Sequence, residues 1–171
     1  MNAALIKPVL LCGFFGLSML AFGQTPPQSN KQHADGVDQR GDQGMGLSHT
    51  LTGHHFRLLA DGGAIEVEAD HPDDNASKAA IRKHMEMIAG MFGRGDFTLP
   101  MFIHNTIPPG VEVMKRLKGQ ITYTAKKTAD GAMVRIATKN QEALAAIHEF
   151  LRFQIKDHRT GDSLTVAEPH S

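Results

Sequence analysis

Cysteine is almost missing from this chain. The one thiol, Cys12, lies inside an apolar N-terminal run; tryptophan is absent and tyrosine occurs once. If that run is removed on export, the remainder has no disulfide and no thiol chemistry, and its core alone must hold it together. An excess of one charge is missing as well. Eighteen Lys+Arg stand against 18 Asp+Glu, and no basic stripe gives nucleic acid a footing. Also missing are a Gly-x-Ser-x-Gly elbow, a Gly-rich phosphate loop and the helical double-histidine spacing of a zinc site. No nucleophile stands out, so an enzyme is the less favoured class.

Residues 1–23 read as a signal peptide. Lys7 is the positive region, Pro8 to Phe22 the apolar stretch, and Ala21-Phe22-Gly23 offers a cut before Gln24. The run is short for a membrane span. The expected address is periplasmic or secreted, with no stable membrane span after cleavage. Residues 24–52, rich in Gln, Gly, Asp and Ser, read as a flexible polar spacer. Residues 53–161 read as the folded domain and 162–171 as a polar tail.

The domain carries an internal repeat. Leu59-Ala-Asp-Gly-Gly-Ala-Ile-Glu-Val-Glu-Ala69 returns as Thr128-Ala-Asp-Gly-Ala-Met-Val-Arg-Ile-Ala-Thr138. Each copy leads to an Ala-Ala-Ile segment, at Ala79 and at Ala145. The pattern predicts an α+β fold: two ββα repeats forming one antiparallel sheet, with two helices packed on one face. Strands are expected at His54–Ala60 and Ala64–Asp70, turning at Asp61-Gly62, and at Ile121–Lys127 and Met133–Thr138, turning at Asp130-Gly131. That turn sets Leu58 opposite Ile65, Phe56 opposite Val67, His54 opposite Ala69, and in the second copy Ala125 opposite Ile136 and Tyr123 opposite Thr138. Arg57, Glu66 and Glu68 then share a wet face.

One helix is expected from about Asp73 to Phe92, burying Ile81, Met85, Ile88 and Phe92. Another is expected from Gln141 to about His158, burying Leu144, Ile147, Leu151 and Ile155. Residues 98–120 contain Pro100, Pro108 and Pro109, and read as mostly irregular, with a short helix at Val111–Lys118.

All ten histidines and seven of nine methionines lie outside the signal run. His54 opens the first strand, on the face of Phe56 and Leu58. Its counterpart in the second copy is Tyr123, so a structural ring competes with a ligand-facing imidazole. His84 flanks the buried stripe of the first helix, with Met87 and Met91 at i+3 and i+7. His104 sits in a proline-stiffened connector. His148 reads as a core histidine; His33, His71, His158 and His170 read as surface or tail. Imidazole with thioether suits copper before zinc. The candidate metal set is therefore His54, His84, His104, Met45, Met87 and Met91, with Met85 and Met91 also fitting as core fillers.

The stretches His54-His-Phe-Arg-Leu-Leu59, Asp61-Gly-Gly-Ala-Ile-Glu-Val67, Gly95-Asp-Phe97, Ile103-His104, Pro109-Gly110 and Ala145-Ala-Ile-His-Glu-Phe150 resemble a family of small exported bacterial proteins of unknown function. The resemblance spans about residues 40–161. Some relatives carry the label aspartate carbamoyltransferase, but this chain lacks the Ser-Thr-Arg-Thr-Arg type loop which that activity uses. The resemblance implies the fold boundaries and the address, and no activity.

Three functional readings follow. One is an exported binding module holding a transition metal, copper or zinc. The second is a non-catalytic cell-envelope module that binds an envelope protein or forms a homodimer. The third is an enzyme with His104 or His54 as general base, which needs a cleft with a carboxylate or hydroxyl beside the imidazole.

Overall fold

A computed structural model describes residues 28–167. The expected signal peptide lies outside the described residues. The fold is α+β: one four-stranded antiparallel sheet and five helices. In chain order these are α1 (Gln28–Met45), β1 (Thr52–Leu59), β2 (Gly62–Ala69), α2 (Asn75–Gly93), α3 (Thr98–His104), α4 (Val111–Arg116), β3 (Ile121–Lys127), β4 (Gly131–Thr138) and α5 (Gln141–His158). A short 3-10 turn, Lys118–Gln120, leads into β3. Among the described residues, no helix is long and apolar enough to cross a membrane.

The strand order is β1-β2-β4-β3, so the two hairpins join through their second strands. Because of that join, α2 lies chiefly across β3 and β4, while α5 lies chiefly across β1 and β2. Both helices feed one core, which also takes Phe56, Leu58, Ile65 and Val67 from the first hairpin and Val134 and Ile136 from the second. The α2 stripe of Ile81, Met85, Ile88 and Phe92 is buried as expected. The α5 stripe is wider than expected. Ala143, Ala146, Phe150 and Gln154 are buried along with Ile147, Leu151 and Ile155, whereas Leu144 is only half-buried.

Both hairpin registers differ from the expected ones by two residues. Phe56 pairs with Ile65 and His54 with Val67; Tyr123 pairs with Ile136 and Ala125 with Val134. A shift of two keeps every side chain on its face. In the first hairpin the cause is the glycine pair. Gly62 and Gly63 belong to β2, not to the turn. A Cβ on Gly63 would stand 2.1 Å from Leu151 Cδ1, and one on Gly62 2.1 Å from the Ile136 carbonyl oxygen. The glycines thus let α5 and β4 approach, and Ala60-Asp61 makes the turn. The expected wet face also needs correction: Glu66 is 5% exposed, tied to the Arg57 guanidinium at 2.5 Å.

Two segments expected to be irregular are helical. The connector forms α3, where Pro100 occupies the first turn and gives up no helical hydrogen bond. The spacer forms α1, although it contains Gly36, Gly41 and Gly44 and buries only Ala34 and Val37. Each interior glycine costs a helix about 1 kcal/mol against alanine. Tertiary ties therefore hold α1: Arg40 Nε donates to the Ile103 carbonyl at 2.7 Å, Arg159 pairs with Asp38 at 2.8 Å, and His33 meets Asp157 at 2.8 Å. Gly44 lets α1 sit against α3, since a Cβ there would lie 2.6 Å from Leu99 Cδ1.

The long helices are capped by their own sequence. Asp74 Oδ1 accepts from Ser77 N–H, and Asn140 Oδ1 from Ala143 N–H, each at 2.9 Å. Asn140→Ala is expected to cost about 1 kcal/mol, read as a lower urea midpoint. The tail docks too: Asp162 Oδ2 accepts from Phe56 N–H and Ala167 N–H donates to the Leu58 carbonyl, both at 2.9 Å, so it follows the outer edge of β1.

Candidate functional site

Between the sheet, α1 and the C-terminal half of α5 lies a cavity of about 320 Å³. Its body is apolar: Phe56, Ile65 and Val67 from the sheet, Met85, Ile88 and Phe92 from α2, and Phe150 from α5. α3 contributes Leu99, Pro100, Ile103 and His104, and α1 closes the space with Val37, Asp38, Gly41, Asp42 and Met45. Five histidines reach it: His49, His54, His84, His104 and His158.

Four of the six expected metal-site residues therefore meet at one cavity: His54, His84, His104 and Met45. The other two do not. Met87 is 46% exposed, and Met91 packs against the hydrophobic core instead. Met87 lies two residues beyond buried Met85, about 200° further round the helix, which turns it outward. Among the described residues, no three His, Cys, Asp or Glu side chains form a group that could hold a metal ion. Within the cavity His54 Nε2–H donates to Met45 Sδ at 3.2 Å.

The imidazoles form a chain. His54 stacks on His158, with centroids 5.6 Å apart and planes 8° from parallel. His158 meets His104 edge-on at 5.0 Å. Burial, reinforced by His84 and His55, pushes His54 down to about 4. Burial, reinforced by His54 and His104, pushes His158 down to about 3. His84 is lowered by burial as well. At neutral pH the stacked pair, His54 and His158, is uncharged.

The polar end is built by α3 and α5. His104, 2% exposed, donates Nδ1–H to Asp157 Oδ2 at 2.5 Å. Its Nε2 faces Gln154 Oε1 at 2.8 Å. This pair supplies the carboxylate that a general base needs, but Gln154 occupies the other ring nitrogen, so no free imidazole nitrogen of His104 faces the cavity. Among the described residues, Gln154 Nε2 is buried without a hydrogen-bond partner.

Outside the cavity, His148 Nε2 lies 2.9 Å from the Leu59 carbonyl and 3.0 Å from that of Gly62, and ties α5 to the first hairpin. His55 meets Asp162 at 3.1 Å on the far face of the sheet.

Gln154, Asp157 and His158 are site residues that the sequence reading missed. His158, expected at the surface, lines the cavity. Part of the signal was present: Phe150, Gln154 and His158 recur at i, i+4 and i+8 and prolong a buried face of α5. Nothing local marks Asp157, whose partners lie 53 and 124 residues away.

The fold and site together define an α+β domain with a half-open, mostly apolar cavity. No protein-family model, no curated protein and no solved structure matches the chain.

Proposed function

We propose that the chain is an exported binding module whose ligand is a small, largely apolar molecule held in this cavity. The observation that carries the reading is the cavity itself, about 320 Å³ and walled by hydrocarbon with a few converging polar groups. Ligand sites of about 300–1,000 Å³ have this make-up. Export rests on Lys7 and the apolar run after it.

Gly41 provides the test. It lies in α1 at the cavity wall, and a Cβ there meets nothing within 4 Å. Gly41→Leu fills space and removes a helix-weakening glycine, so stability is expected to rise by about 1 kcal/mol. The neutral fluorophore N-phenylnaphthylamine is expected to brighten with the native domain and to stay dark with Gly41→Leu. Equal brightening with both proteins, or none with the native one, would remove this reading.

Soft-metal binding is a second reading, favoured by the Met45–His54 contact with His84 beside it. It requires Cu(I) to bind at one equivalent and Met45→Leu to abolish that binding. The envelope-partner reading has less support. The tail follows the β1 edge, and the other edge strand, β3, carries Lys126 and Lys127, which discourage strand addition.

A further inference from the structure

The polar end of the cavity has a definite hydrogen-bonding sense, and it follows from Asp157. Burial alone would raise the Asp157 carboxyl, but hydrogen bonds from His104 and His33 hold it below its ordinary range. It is therefore ionised, and a carboxylate only accepts. The proton between Asp157 and His104 sits on His104 Nδ1. On the opposite side, Gln154 Oε1 lies 2.8 Å from His104 Nε2, and a carbonyl oxygen also only accepts. With that oxygen facing the ring, His104 Nε2–H donates to it. Gln154 must then turn its NH2 away from His104. That nitrogen has no partner among the described residues, Gln154 is 4% exposed, and it lines the cavity. A buried donor left unpaired is unfavourable, and a ligand oxygen removes the penalty.

On the reading of the cavity as a ligand site, we propose that Gln154 Nε2 selects the ligand: an uncharged ring compound bearing a carbonyl oxygen, which accepts from Nε2–H while its hydrocarbon body lies among Val67, Met85, Ile88 and Phe92. The ligand is neutral for two reasons. The burial that strips the proton from His54 and His158 penalises a carboxylate in the same space. The arginine at the cavity, Arg159, is already paired with Asp38 at 2.8 Å.

Indanone and indane have nearly the same shape and differ by one carbonyl. Titrated into the native domain, indanone is expected to bind about tenfold more tightly, the worth of one net hydrogen bond. Gln154→Met keeps length and volume but has no donor. It is expected to erase the preference for indanone over indane. Equal affinity of the native domain for both would overturn the donor assignment and leave the cavity reading standing. Uptake of neither would overturn both. Nitrogen-15 spectra of the His104 ring give an independent readout. Protons on both ring nitrogens are expected, whereas a proton on Nδ1 alone would mean that Gln154 presents its oxygen, and would overturn the assignment.

Discussion

Between about pH 6.5 and pH 4.5 the domain is expected to lose stability at roughly 2–3 kcal/mol per pH unit. The loss comes from His54, held near 4 by burial with His84 and His55, and from His158, held near 3 by burial with His54 and His104, where an exposed histidine titrates at 6.5. In that window the unfolded chain takes up two protons that the fold refuses. Each refused proton contributes up to about 1.4 kcal/mol per pH unit, and stability rises with pH wherever the unfolded state binds more protons. The contribution is complete above about pH 6.5 and disappears as the pH falls towards the folded values. His84, also lowered by burial, acts with the same sign. The lowered carboxyls of Asp157 and Asp162 act with that sign too, at lower pH, as they take up protons through the ordinary carboxylate range. Urea midpoints at half-unit steps would measure the slope. His158→Phe retains a ring stacked on His54 and removes one proton site, so about half the slope should go with it. A midpoint unchanged from about pH 7 to pH 5 would refute this account, because two unfolded histidines must titrate there.

The parts of this fold legible in the sequence are those fixed by local periodicity. Ile81, Met85, Ile88 and Phe92 repeat at helical spacing, and α2 buries them. The alternation through Phe56, Leu58, Ile65 and Val67 sorted the two sheet faces correctly apart from Glu66. Register was less legible. A glycine pair after Asp61 has two explanations, a turn with positive φ or a close approach by another element, and only the packing of Leu151 on Gly63 decides between them. α1 was not legible, because its composition argues against burial and its support comes from Ile103, Asp157 and Arg159, far along the chain. The site was legible in part. His54, His84, His104 and Met45 each stood out by residue type, yet their meeting point is a cavity built by α1, β1, β2, α2, α3 and α5. No spacing encodes such a convergence. The partner that gives His104 its role, Asp157, reads as an ordinary charge near the end of a helix.

Asp157→Ala is expected to cost about 1–3 kcal/mol, because it leaves the buried Nδ1–H of His104 without its acceptor. Asp157 accepts from His104 at 2.5 Å on one oxygen and from His33 at 2.8 Å on the other. The two contacts differ in weight. His33 has a side chain 51% exposed, and an ion pair open to water is worth at most about 1 kcal/mol, so His33→Ala should be nearly silent. His104 has a side chain only 1% exposed and no second acceptor for its Nδ1 proton. A double-mutant cycle with His104→Leu should therefore return a coupling of about 2 kcal/mol or more between positions 104 and 157. If Asp157→Ala cost no more than His33→Ala, the buried half of the relay would have no energetic weight. Asp157→Asn keeps a side-chain oxygen that accepts from His104 Nδ1–H, so most of the cost of Asp157→Ala should be spared, and the urea midpoint should lie close to that of the native protein.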